Sequence, residues 1–134
     1  LIAQAAMDDL ELAHAHGVIV QDLRPQVIML AREPTDPWTP RIMDLSSATT
    51  PDSDYAQWAS PHDEYGAPEV CSFGQEGLGP SCDVYALAAV LRSLMGDLSK
   101  PERAFFEHAM AKDASKRFEC IPEFRDAWRS TFVA

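Results

Sequence analysis

The sequence predicts a mainly α fold of the α+β family, and three observations predict it. Apolar residues keep helical spacing at the start of the chain and again through most of its second half. Between these stretches they occur only as short, β-branched pieces. Proline and glycine stand where the helical stretches begin and end. At 134 residues the chain is long enough to bury one core, so a single domain is expected.

The first helix is expected over Ile2 to Ala15, where Ile2, Ala5, Ala6, Leu10 and Ala13 share a face and Gly17 stands at a left-handed cap position. Small strands follow at Val18-Ile19-Val20, at Val27-Ile28-Met29-Leu30 and around Ile42. Ala31 to Pro40, with Pro34, Pro37, Trp38 and Pro40, reads as the long tip of a hairpin joining the last two. Residues 46–66 hold Ser, Thr and Pro without a period and read as a long loop. From Ser81 the stripe Val84, Leu87, Ala88, Leu91 and Leu94/Met95, with alanines on other sides, predicts a long helix buried nearly all round and closed by Gly96. Two further helices, Pro101 to Ala111 and Pro122 to Phe132, each begin at a proline.

Composition narrows the function classes. Eleven basic against 21 acidic residues give a net charge of -10, which argues against a partner recognised through its phosphates, so no nucleic acid is expected. No apolar run reaches the roughly 18 residues of a membrane span, so no membrane is expected either. Cys71, Cys82 and Cys120 are odd in number, widely spaced and without a zinc-type cluster, which suits a reducing, cytoplasmic or otherwise intracellular setting. The chain opens at Leu1 directly in helical periodicity, which reads as a cut from something longer.

Two aspartates each lie beside a short apolar piece: Asp22 in Val20-Gln21-Asp22-Leu23-Arg24-Pro25, and Asp44 in Ile42-Met43-Asp44-Leu45-Ser46. Either alone is an ordinary turn or cap residue. With the rest of the chain they form an ordered set. The segment from Val20 to Val27 falls on H-R-D-L-K-P-x-N, Asp44-Leu45-Ser46 on D-F-G, and Ala67-Pro68-Glu69, with Tyr65 just before it, on A-P-E. Asp83-Val84-Tyr85-Ala86-Leu87 is similar to the start of a D-V-Y-S-L helix, and Lys112 to Arg117 to D-P-x-x-R. On these five motifs the chain resembles the C-terminal lobe of the Ser/Thr protein kinase catalytic domain over nearly its whole length. The resemblance implies a kinase-like C-lobe with a long buried central helix and a two-to-four-strand β element carrying Asp22 and Asp44.

The resemblance also implies roles. Phosphoryl transfer needs one carboxylate to take the substrate hydroxyl proton and another to hold magnesium on the phosphates; Asp22 and Asp44 match those two positions. Arg24 replaces the catalytic-loop lysine and keeps its charge. Met29 matches the residue that floors the adenine site, although Met on a short apolar strand also reads as core. Glu69 and Arg117 match a buried ion pair, and Asp83 matches the residue that receives backbone N–H groups of the catalytic loop.

The departures run in one direction. Val27 stands where the second metal ligand, an Asn, is expected, and an apolar side chain cannot coordinate a hard cation. Val20 and Gln21 replace His-Arg, Ser46 replaces the glycine of D-F-G, and His62 replaces a threonine before the aromatic. The four residues Asp97 to Lys100 leave no room for the helix that kinases place after the central one. No glycine-rich phosphate loop or strand lysine is found, so an N-lobe is absent from this chain.

Retained scaffold with eroded chemistry implies a pseudokinase-type, catalytically impaired scaffold or protein-binding module. The alternative is a fragment of an atypical ATP-dependent Ser/Thr protein kinase that transfers the γ-phosphate to a protein hydroxyl. No cofactor is expected on this chain alone, and ATP with Mg2+ only together with an N-lobe. A protein partner, or self-association, is expected on the N-lobe-facing side bearing Val20, Met29 and Leu45. Val20 and Leu45 also read as part of the lobe's apolar stack, and His14, His16, His62 and His108, which lack ligand spacing, as solvent or loop residues.

Overall fold

Ala6, Met7 and Leu10 near the start of the chain belong to one buried cluster with Val84, Leu87, Val90 and Leu91 from its middle and Phe105, Phe106, Ile121 and Phe124 near its end. That cluster decides which face each helix turns inward. The computed structural model describes residues 1–32, 34–35, 38–50, 64–71 and 78–133. Among them lie five α-helices and one two-stranded antiparallel sheet, a mainly helical architecture.

Helix α1, Ile2–Ala15, ends in a Schellman-type cap: Val18 N–H donates to Ala13 O at 2.9 Å and Gly17 N–H to His14 O at 3.0 Å. Gly17 takes φ +71°, a conformation that costs a residue with a Cβ, while the space around it is open. Conformation rather than crowding therefore sets the glycine here.

The strand expected at Val18 to Val20 reduces to one bridge. Ile19 and Thr49 exchange hydrogen bonds at 2.7 and 2.8 Å, and pairing stops there. The reason is Asp83, whose carboxylate takes the next two N–H groups, those of Val20 and Gln21, so no ladder can extend. After a 3₁₀ turn at Pro25–Val27, strand β1, Ile28–Ala31, pairs antiparallel with β2, Thr39–Ile42, in the register Ile28↔Ile42. The hairpin expected from the sequence forms, but its second strand takes in Thr39 and Pro40, which had read as loop. Met43 N–H donates to Val27 O, so by antiparallel alternation the pairs 29/41 and 31/39 exchange hydrogen bonds, whereas 28/42 and 30/40 point their groups outward. Pro40, without an N–H, thus sits where none is needed. The outer edge of β2 lies against α1, where Asp9 accepts from Ile42 N–H at 2.8 Å and from the Arg41 guanidinium.

A single helical turn, α2 at Pro68–Cys71, has no forerunner in the sequence reading. Helix α3, Pro80–Ser93, is the buried central helix: Cys82, Asp83, Val84 and every residue from Ala86 to Leu91 are buried. It stops short of Leu94, which is exposed, and Arg92 Nη1 closes it by donating to Met95 O and Gly96 O at 3.2 and 3.4 Å. The short link to helix α4, Lys100–Ala109, leaves no further helix between them. At the start of α4 the Glu102 carboxylate accepts from Ser99 N–H at 2.6 Å. A second 3₁₀ turn, Ala114–Lys116, leads to α5, Ile121–Phe132. Phe105 of α4 lies 5.0 to 5.7 Å, between ring centroids, from Phe118, Phe124, Trp128 and Phe132. No helix among the described residues is long and apolar enough to cross a membrane.

Candidate functional site

Asp83 organises the segment that carries Asp22. Its side chain is wholly buried on the first turn of α3, and its two oxygens accept from Val20 N–H at 2.8 Å and Gln21 N–H at 2.9 Å. His14 Nε2 completes the set at 2.8 Å from Oδ2. A buried carboxylate needs such donors, because desolvation without them costs several kcal/mol. His14 was read from the sequence as a solvent residue; it is instead a largely buried partner of Asp83. The signal was available, since position 14 lies one turn beyond Leu10 on the buried stripe of α1.

Held in this way, the chain turns sharply at Gln21. Asp22 N–H donates to Val20 O at 2.9 Å around a central residue at φ +67°, a γ-turn of the rare positive-φ type. The Gln21 side chain is 1% exposed, and neither its Oε1 nor its Nε2 has a partner among the described residues. Immediately after this turn the half-buried Asp22 carboxylate is engaged by Arg24 Nε at 3.1 Å. Asp22 therefore lies on an irregular turn and not on the β element.

Asp44 follows β2 by two residues and is exposed. Hydrogen bonds from the hydroxyl and the backbone N–H of Ser46, the latter at 2.9 Å, hold its carboxyl below the usual carboxylate range, and the positive charge of Arg24 adds a smaller pull. Arg24 is thus bonded to one of the two aspartates and acts on the other, while Met43 N–H to Val27 O ties their two segments directly. Val27 is buried and offers no donor atom toward either. Chemically, the arrangement presents one carboxylate neutralised by an arginine and one exposed carboxylate, which could contribute a single oxygen ligand to a hard cation.

Glu69 and Arg117 come together away from this point. Arg117 Nη1 and Nη2 meet Glu69 Oε1 and Oε2 at 2.6 and 2.8 Å, and the remaining donors go to Ser81 O, Lys112 O and, through Nε, Ala111 O. All five guanidinium N–H groups are used, and Tyr85 stacks beneath at 4.9 Å. The pair fastens α2 to the start of α3 and to the loop after α4.

Three placements differ from expectation. Leu45, read as core, is exposed, because the Asp44–Ser46 turn swings its side chain off the apolar stack. Met29, read as adenine floor or core, is exposed on β1 with nothing packed over it among the described residues. Val20 is buried in the main cluster, as its place in the apolar stack has it, and so does not lie on the open partner face. His62 lies outside the described residues, as do Asp52, Asp54 and Asp63. A comparison with protein-family models finds no match to this chain, and a search of curated proteins finds none either.

Proposed function

We propose that the chain is a pseudokinase-like scaffold, a catalytically impaired, protein-binding counterpart of a kinase C-lobe. The observation that carries this reading is Val27: it is buried and apolar at the position where the resemblance places the second magnesium ligand, on the segment joined to Met43 just before Asp44. Gln21, turned into the interior, supplies no cation toward a loop phosphate. The scaffold positions of the same resemblance, Asp83 with the Val20 and Gln21 amides and Glu69 with Arg117, are fully hydrogen-bonded. ATP and Mg2+ would need groups beyond these residues, and the exposed side chains on and beside the hairpin, Met29 and Leu45 among them, would serve binding.

The second reading, an atypical ATP-dependent Ser/Thr protein kinase fragment, is favoured by Arg24, whose charge bears on both Asp22 and Asp44. Incubation with radiolabelled ATP, Mg2+ and a generic protein acceptor, within the full natural polypeptide, separates the two. No transfer is expected. Mg2+-dependent labelling that vanishes in Asp22→Ala would overturn the scaffold reading in favour of the enzyme.

A further inference from the structure

The hairpin is covered on one side only. β2 is shielded by α1, by Asp9 and by the absence of an outward N–H at Pro40, whereas the outer edge of β1, past Ile28 on the core, meets no other strand or helix closely among the described residues. By the strand alternation above, Leu30 directs both its N–H and its C=O away from β2, and Ile28 directs its C=O the same way, its N–H being taken by Pro25 O. Neighbouring residues on a strand face opposite sides of the sheet, yet Met29 is 56% and Leu30 60% exposed, so beyond Ile28, which packs on the core, β1 leaves an apolar side chain open on each face. Ile28-Met29-Leu30-Ala31 carries no charge and no proline, the devices that normally keep an edge strand from pairing.

We propose that β1 pairs antiparallel with β1 of a second copy of this chain, forming a two-fold dimer with a continuous four-stranded sheet. An antiparallel strand pair is self-complementary about a two-fold axis, as a closed dimer requires. With the axis beside Leu30, the two Leu30 residues exchange both N–H···O=C bonds, and each Met29 faces Ala31 of the other copy.

Exposure supports the assignment. Trp38, just before β2, and Met43, just after it, are 63% and 58% exposed. With Met29 and Leu30 they leave a run of apolar side chains open along the hairpin, of the kind that marks a contact surface. Charge permits it as well. The chain carries -10 overall, but Ile28-Met29-Leu30-Ala31 is uncharged, so no like charges meet at the two-fold axis.

This inference rests on the hairpin being the docking face and not on the absence of catalysis, so phosphate transfer would leave it standing. Sedimentation velocity in nucleotide-free buffer is expected to show a monomer–dimer equilibrium, weakened at least tenfold by Leu30→Lys and unchanged by Leu94→Lys on the far end of α3. For register, Leu30→Cys, in a background with Cys71 and Cys120 replaced by Ser, should crosslink to itself under mild oxidation, while Met29→Cys should not, because paired Cα atoms lie within disulfide reach and staggered ones do not. A monomer at every concentration, a dimer indifferent to Leu30→Lys, or crosslinking through position 29 instead of 30 would each overturn the proposal.

Discussion

His14 Nε2 lies 2.8 Å from Asp83 Oδ2 and joins the last turn of α1 to the first turn of α3 across 69 positions of sequence. The same carboxylate fixes the backbone on which Asp22 is mounted, so one residue determines both how two helices meet and where the candidate acid–base group stands.

Asp83→Ala is expected to be among the most damaging single substitutions. It strands the Val20 and Gln21 amides and the His14 ring in the interior, at a cost of about 3–5 kcal/mol. His14→Ala leaves both amides satisfied and should cost about 1–2 kcal/mol. Urea midpoints of the two variants, compared at constant m, check the order.

Glu69→Ala leaves the Arg117 guanidinium buried without its counter-charge and should destabilise by about 3 kcal/mol. Arg117→Lys should recover little, because three rotating donors cannot reproduce five fixed ones. Thermal unfolding of both variants within a few degrees of the parent would contradict this.

Gln21→Met is expected to stabilise the fold by about 1–3 kcal/mol. It removes two buried polar atoms that have no partner among the described residues and keeps nearly the same shape. A lower unfolding midpoint in Gln21→Met would mean that the amide finds a partner in solution.

Glu102 supplies a pH signature. Hydrogen bonds from the Ser99 hydroxyl and backbone N–H hold its carboxyl below the ordinary 4.5. A folded value below the unfolded one means that its contribution is fully present above pH 4.5 and is lost as the pH falls through the lower folded value. The stability gap between the parent and Glu102→Gln should therefore be constant at neutral pH and close in acid. A gap that widens in acid would refute the assignment.

Burial pushes the Cys82 thiol far up, with the neighbouring Asp83 carboxylate adding to the shift. Cys82 should resist iodoacetamide until the chain unfolds, whereas the half-buried Cys120 should react in the native state. Peptide mapping after brief labelling distinguishes the two.

The helices were legible because their signals are local. Gly17 marks the end of α1, Pro101 and Pro122 sit in the first turns of α4 and α5, and the stripe from Val84 to Leu91 shows a helix with almost no solvent face. The site was legible only in part. Asp22, Asp44 and Arg24 could be picked out as residues, but their grouping depends on Asp83 reaching back more than sixty positions to bend the chain at Gln21, and no local period encodes that. The strand expected at Val18 to Val20 failed for the same reason: its β-branched residues favour extension, and the carboxylate outbids a neighbouring strand for their amides. His14 was missed because a histidine at the end of a helix is equally at home in water.

Every ring of the aromatic cluster between α4 and α5 comes from Phe105 to Phe132, so these contacts close only short loops. Asp83, by contrast, must close loops of 62 and 63 residues to reach Gln21 and Val20. The C-terminal helices are therefore placed to assemble early, while the turn bearing Asp22 docks late. The candidate chemistry is then mounted on a part of the molecule that is completed only after its C-terminal helices are in place.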